Sequence, residues 1–141
     1  GGTLQVSDFP LFVDATQVTS GVQNGFDADT YTASETELIG YTASSWSGDC
    51  SSNGTVTLNV GDNKTCEITN DDIAPKLTLI KYVTNDDGGT LQVSDFPLFI
   101  NAAPVTSGVA NTLSANVLYT ATETSDPGYT ASTWGGDCAS D

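Results

Sequence analysis

Histidine, arginine and methionine are absent from this chain, and only three lysines stand against eighteen aspartates and glutamates, which gives a net charge of −15. Nucleic acids and anionic lipids are bound through Lys and Arg, so neither is an expected partner. Without histidine, the Ser-His and Cys-His hydrolase mechanisms and His-ligated metal sites are excluded. The sequence contains no cofactor-binding loop and no nucleophile–base pair. We therefore expect a protein that is not an enzyme and has no cofactor.

The sequence also lacks a recognisable signal peptide and an apolar run long enough to span a bilayer. Because methionine is absent, we expect the 141 residues to be a processed product or a segment of a longer protein. Aromatic residues, which acidic disordered segments usually lack, are spread along the chain. We therefore expect a folded protein that does not insert into a membrane.

The sequence repeats itself over a long period. Residues 1–13 and 88–100 match at twelve of thirteen positions, and residues 31–50 resemble residues 119–138. The offset is 87 residues for the first pair of segments and 88 for the second, so one residue is inserted between them. This period of about 87 residues is far longer than that of solenoid repeats and equals the size of one small domain.

Neither copy contains the whole repeat. Residues 54–87 occur once and join the two copies. The first domain, 1–72, is therefore expected to lack its first strand, and the second domain, 73–141, its last strands. We expect neighbouring units, arranged head to tail in the same chain or in another copy, to supply them. Donation of a strand to an open sheet edge is one way to join such units.

Strand patterns dominate the chain, and no apolar stripe has the 3.6-residue period of a helix. Polar and apolar residues alternate with a period of two in several segments, which predicts strands with one buried face. The residues expected on buried faces are Tyr31, Ala33, Glu35, Val56, Leu58, Val60, Cys66, Ile68, Asn70, Leu77, Leu79, Lys81 and Val83. Short strands at regular spacing predict an all-β fold with a small antiparallel β-sandwich in each repeat.

The three cysteines follow the repeat. Cys50 and Cys66 are sixteen residues apart, and Cys138 is the counterpart of Cys50. Two cysteines in each unit favour a disulfide over a zinc site, which would need four ligands. The alternative is a pair of buried free thiols. A Cys50–Cys66 disulfide would indicate an oxidising, extracellular compartment, and Cys138 would then pair beyond residue 141.

Three stretches resemble a known family. The segment YTATE at 119–123, followed by Pro-Gly-Tyr at 127–129, resembles a motif of SpaA-like, or CnaB-type, prealbumin-fold domains. Residues 76–89 resemble the first strand of those domains, and residues 66–75 resemble the last strand. The first copy departs from the motif, with Leu-Ile-Gly at 38–40. Such domains build Gram-positive pilins and adhesin stalks, so the resemblance implies a structural protein at the cell surface.

The resemblance also implies candidate cross-link residues. In that family a first-strand lysine and a last-strand asparagine or aspartate often form an isopeptide bond beside a buried glutamate. Burial makes a lysine easier to deprotonate and therefore more nucleophilic. Carried onto this chain, the lysine is Lys81, the glutamate is Glu123 or Glu35, and the asparagine is Asn70. The alternative is that Lys81 reaches solvent at a strand end and that the glutamates bond turns.

Acidic residues flank the junction between the copies. Asp71, Asp72, Asp86 and Asp87 are candidate Ca²⁺ ligands, because carboxylate oxygens suit that ion. The alternative is that these residues form solvated turns, since Asn and Asp tolerate turn geometry and bond their own backbone. We favour the turns and predict no metal site.

Two readings of the function remain open. We expect a segment of an extracellular fibre, filament or adhesin stalk, built from head-to-tail copies of the repeat. The second reading is an adhesin module that binds carbohydrate or another surface ligand. In that reading Trp46 and Trp134 would stack on sugars, whereas in the first reading they close the end of a sandwich core.

Overall fold

The computed structural model describes residues 1–138 and divides the chain into two compact units. We call Gly1–Ile73 unit 1 and the chain from Ala74 onward unit 2. Within residues 1–138 there is no α-helix, and only two single-turn 3₁₀ helices occur, at Val6–Asp8 and Val93–Asp95. No helix in this part of the chain is therefore long and apolar enough to cross a membrane.

Both units are built from short strands. In unit 1 these are β1 (Leu11–Val13), β2 (Thr16–Val18), β3 (Thr30–Glu35), β4 (Tyr41–Ala43), β5 (Ser47–Gly48), β6 (Thr55–Thr57), β7 (Cys66–Glu67) and β8 (Asn70–Asp72). In unit 2 they are β9 (Lys76–Thr78), β10 (Leu98–Ile100), β11 (Ala103–Val105), β12 (Ala110–Thr112) and β13 (Ala121–Glu123).

All the strand pairs are antiparallel. Unit 1 has a four-stranded sheet in the order β2-β1-β3-β6 and two two-stranded pairs, β4 with β8 and β5 with β7. Unit 2 has a three-stranded sheet in the order β11-β10-β13 and the pair β9 with β12. The predicted all-β architecture of antiparallel sandwich units is therefore confirmed.

The two units share the same strand register. In unit 1 Leu11 is paired with Glu35, and in unit 2 the counterparts Leu98 and Glu123 are paired. The same hairpin turn follows Leu11–Val13 and Leu98–Ile100 and leads into the next strand, with a left-handed residue, Asp14 or Asn101, in the turn. This agreement allows the repeated residues, those of 1–53 and their counterparts from 88 onward, to be compared directly.

The core follows the predicted alternation along the first strand of unit 2. Between Lys76 and Val83 every second side chain faces inward, and Leu79 is only 2% exposed. Leu79 packs with Leu98 and Ile100, and Trp134 lies against this cluster. The period-two pattern thus marks the buried face even where the regular strand β9 is only three residues long.

The expectation that Val60 faces a core is wrong. Strand β6 ends at Thr57, and Val60 is 95% exposed. A tight turn ends the strand, because the Asp62 N–H bonds the Asn59 carbonyl while the Asp62 carboxylate accepts the Asn59 N–H at 2.9 Å. These bonds from Asn59 also hold the pKa of Asp62 below its usual value. The turn geometry overrides the alternation of side chains.

Replacement of Leu79 by alanine tests this core. We expect Leu79→Ala to lower the free energy of unfolding of unit 2 by about 2–5 kcal/mol, because it leaves a cavity under Leu98 and Ile100. Urea unfolding followed by Trp134 fluorescence, in a Trp46→Phe background, isolates unit 2. The matched control is Ile80→Ala, since Ile80 is the next residue and is 56% exposed. Equal losses in the two variants would contradict the assigned core.

Candidate functional site

A partly buried carboxylate lies at the inner face of the same strand in each unit. Glu35 is the last residue of β3, and Glu123 is the last residue of β13. Both side chains point to the same side as the apolar residues of their strands, Ala33 and Ala121. A carboxylate in this position needs partners, because burial without them strongly disfavours its charge.

In unit 2 the partner of Glu123 is Lys81. The Nζ atom of Lys81 lies 2.7 Å from Oε2 of Glu123, and the two side chains are 17% and 15% exposed. The ring of Phe96 covers the ammonium group, with its centroid 4.7 Å from Nζ. Lys81 is therefore held inside the unit and does not extend into solvent at the strand end.

In unit 1 the partner of Glu35 is Asn70. The Nδ2 atom of Asn70 donates a hydrogen bond of 2.9 Å to Oε2 of Glu35. The other carboxylate oxygen, Oε1, is buried and has no hydrogen-bond partner within residues 1–138. One acceptor position of this carboxylate is thus left unfilled in unit 1.

The four candidate cross-link residues form two half-sites. Lys81 meets Glu123 in unit 2, and Asn70 meets Glu35 in unit 1. Glu35 and Glu123 occupy the same position of the repeat, so the same glutamate position takes part in both half-sites. The first strand brings the lysine to this glutamate and the last strand brings the asparagine. Unit 1 contains no copy of Lys81, and unit 2 contains no copy of Asn70 within the chain.

Comparison with known proteins identifies the fold. The SpaA_2 family model, described as a prealbumin-like fold domain, matches residues 1–68 and again residues 72–140. The chain belongs to this prealbumin-like family. Searches of the curated proteins and of the solved structures gave no match.

The two matched segments each span about 70 residues of the 87-residue sequence repeat. The second match starts before the first strand of unit 2, whereas the first match starts at Gly1 and runs through the strands of 54–68. The two matches thus cover different parts of the 87-residue repeat.

A disulfide joins Cys50 and Cys66 in the first prealbumin-like unit, as predicted. It links the turn after β5 to the start of β7, and so closes a loop that contains β6. Cys138, the counterpart of Cys50, forms no disulfide within the described residues. The expected partner of Cys138 lies beyond the chain, so its pairing stays a prediction.

Two aromatic pairs, which sequence reasoning did not assign to the site, shape its surroundings. Phe9 contacts Tyr41 edge-on at 5.2 Å, and Phe96 contacts Tyr129 in the same way at 5.1 Å. The Tyr129 hydroxyl donates to Oδ1 of Asn85 at 2.6 Å and accepts the Leu91 N–H. Both phenylalanines lie in the identical VSDFP segments. The identity of the VSDFP segment in the two copies is the sequence feature that could have indicated the role of the phenylalanines.

The acidic residues at the junction do not form a metal site in the described part of the chain. No group of three or more Asp, Glu or Cys residues within 1–138 has a metal-binding arrangement. Asp71 and Asp72 lie in strand β8, and Asp72 accepts the Gly2 N–H at 3.0 Å. Asp86 and Asp87 are exposed residues of the segment that leads into the next 3₁₀ turn. These carboxylates give no support to the calcium hypothesis.

Reduction of the disulfide tests how far it stabilises unit 1. Closure of a loop of this length contributes about 3 kcal/mol through the entropy of the unfolded chain. In a chain with Trp134→Phe and Cys138→Ser, Trp46 fluorescence reports the unfolding of unit 1. We expect reduction of the Cys50–Cys66 disulfide to lower the urea midpoint of that transition. With Trp46→Phe and Cys138→Ser, reduction should leave the Trp134 transition unchanged. An equal shift in both transitions would contradict a disulfide confined to unit 1.

Proposed function

We propose that this chain is a structural segment of an extracellular fibre, filament or adhesin stalk, in which copies of the prealbumin-like unit follow one another head to tail. The observation that carries the proposal is the glutamate shared by the two half-sites. In a complete unit this glutamate would contact both the first strand and the last strand at the same place in the core. Tension along a chain of such units acts on these two strands.

The two half-sites together contain the parts of an intramolecular isopeptide bond. In a complete unit Nζ of the lysine attacks Cγ of the asparagine, the Nζ–Cγ bond forms, and the Cγ–Nδ2 bond breaks. The glutamate carboxyl group takes a proton from the attacking amine and gives it to Nδ2, which leaves as ammonia. The contacts in the two units are consistent with this reaction. Glu123 forms an ion pair with the lysine nitrogen, and Glu35 accepts a hydrogen bond from the asparagine nitrogen.

The composition and the disulfide also support a surface location. A Cys50–Cys66 bridge is stable in an oxidising compartment and uncommon in the cytosol. A net charge of −15 keeps repeated units soluble and apart from nucleic acid. The chain contains only three lysines, and one of them lies buried beside Glu123. Together these features favour a structural module over a catalytic one.

The alternative of a carbohydrate-binding module receives no comparable support. Trp134, one of its two candidate stacking residues, packs against the core cluster of Leu79, Leu98 and Ile100. A ring used in this way closes the core and is not presented as an open platform. The position of Trp134 therefore favours the structural role over ligand binding.

Force spectroscopy tests the load-bearing role. In a longer chain in which residues 54–72 follow Asp141 a second time, unit 2 gains its own copies of Cys66 and Asn70. Pulled from both ends in reducing buffer, this chain should show no extension from unit 2. Lys81→Gln should add one unfolding step of roughly 250 Å, at about 3.3–3.6 Å for each residue released between the cross-linked positions.

The matched control for this experiment is Lys76→Gln. Lys76 is an exposed residue of the same segment as Lys81, so its loss removes a positive charge but no cross-link. The Lys76→Gln chain should behave as the unsubstituted chain does. Unit 1 has no lysine at this position, so in reducing buffer it unfolds with a step of about 250 Å in every variant. A second step of this length in the unsubstituted chain would show that the first and last strands of unit 2 are not joined covalently, and would argue against this form of load bearing.

A further inference from the structure

The Cys50–Cys66 disulfide ends on the strand that carries the asparagine of the unit 1 half-site. Cys66 begins β7, and Asn70 begins β8 four residues later. Cys66, Ile68 and Asn70 are half-buried and alternate with exposed residues. Their side chains therefore lie on one face of residues 66–72, which we call the last strand.

The other end of the disulfide is anchored to the strand that carries the glutamate. Cys50 is 8% exposed and precedes a tight turn that ends at the buried Gly54. The Gly54 carbonyl accepts the Ala33 N–H at 2.8 Å, and Ala33 lies in β3 two residues before Glu35. The disulfide thus joins a turn that is fixed on the glutamate strand to the last strand.

Backbone pairing alone defines the position of the last strand weakly. In the pair of β4 with β8, Ala43 is opposite Asn70, and in the pair of β5 with β7, Ser47 is opposite Glu67. The chain advances four residues from Ala43 to Ser47 but only three from Glu67 to Asn70. The ladder therefore changes register at a β-bulge. Its regular parts are only two or three residues long, and two-stranded pairs of this size are marginal by themselves.

A shift of the last strand by one residue would destroy the half-site. Because successive side chains point to opposite faces, such a shift turns Asn70 away from Glu35 and brings Thr69 or Asp71 to its place. Threonine has no amide nitrogen, and an aspartate would put a second carboxylate beside the glutamate. The hydrogen bond of 2.9 Å from Nδ2 of Asn70 to Oε2 of Glu35 requires the observed register.

We propose that Cys50 and Cys66 are positioning residues for the cross-link, because their disulfide fixes the register in which Asn70 faces Glu35. The inference rests on the proposed cross-link and adds to it a dependence on the disulfide. Without the disulfide, a folded unit exchanges between registers, and its asparagine faces the glutamate for only part of the time. Attack of the lysine on Cγ of the asparagine then becomes slower, since the reacting atoms are less often in place.

The register can be measured in the 141-residue chain, because the Asn70–Glu35 contact needs no lysine. In a chain with Cys138→Ser, NMR records the nuclear Overhauser effect between the Asn70 side-chain amide and the Glu35 γ-methylene. Trimethylamine N-oxide keeps the reduced unit folded by favouring burial. The effect between Thr30 and Thr57, which are paired across β3 and β6, reports that fold. We expect reduction to weaken the Asn70–Glu35 effect about five-fold or more and to leave the Thr30–Thr57 effect unchanged.

The matched control is Asp49→Ala. The Asp49 carboxylate accepts the Thr65 N–H at 2.7 Å, next to the disulfide. This variant removes a side-chain bond to the same segment and keeps the disulfide, so the Asn70–Glu35 effect should stay at full size. A loss as large as that on reduction would overturn the proposal. A full Asn70–Glu35 effect in the reduced, folded unit would also overturn it.

A displaced disulfide keeps the proposal falsifiable if the reduced unit unfolds. Lys64 is exposed and lies two residues before Cys66, which is too far along the chain for a bridge in the native register. In a chain with Lys64→Cys and Cys66→Ser, the new disulfide should move the last strand by two residues and separate Asn70 from the glutamate. The further change Ile68→Asn should restore the amide contact at position 68. An Asn70 contact retained at full size would overturn the proposal.

The effect on the cross-link is measured in the longer chain in which residues 54–72 follow Asp141 a second time. The added copy of Cys66 can pair there with Cys138, and Cys138→Ser removes this disulfide but leaves the lysine, glutamate and asparagine in place. We expect the loss of ammonia, followed by intact mass, to become about ten-fold slower or more, and an unchanged rate would overturn the proposal. If the unsubstituted longer chain forms no cross-link, the proposed function fails, whereas the Asn70–Glu35 contact in the 141-residue chain still decides whether the disulfide sets the register.

Discussion

The structure depends on one partly buried carboxylate in each prealbumin-like unit. An ionised glutamate inside a small β-sandwich is costly unless an opposite charge or hydrogen-bond donors satisfy it. In unit 2 this is achieved by the ammonium group of Lys81, and in unit 1 one oxygen is satisfied by the Asn70 amide. The elements that bring these partners are the first and last strands of the domain. In unit 2 the glutamate is satisfied from the first strand, and in unit 1 from the last strand.

The comparison between the two copies explains why the units differ in their cores. Unit 2 has its first strand, and its core cluster includes Leu79, Leu98 and Ile100. Unit 1 has the strands that follow residue 54, together with the disulfide between Cys50 and Cys66. Each unit thus contains the interactions that the other lacks. In our proposal a complete domain combines the apolar strand, the disulfide and both partners of the glutamate.

Much of this arrangement could be predicted from the sequence, because it depends on side-chain alternation. The inward positions of Glu35, Asn70 and Lys81 follow from the period of two along their segments, and the cysteine pairing follows from the repeat. The position of Val60 could not be obtained in this way, since the turn bonds between Asn59 and Asp62 end the strand first. The cover that Phe96 provides for Lys81 depends on contacts between residues distant in sequence, which no local pattern encodes.

We propose that a complete unit joins its lysine to its asparagine beside the shared glutamate. The most direct measurement is the intact mass, after reduction, of the longer chain in which residues 54–72 follow Asp141 a second time. With the cross-link, we expect a mass about 17 Da below that of the sequence, which corresponds to one ammonia released, and the full mass when Glu123 is replaced by alanine. The full mass in the unsubstituted chain would contradict the cross-link and would leave the glutamate as part of a non-covalent ion pair.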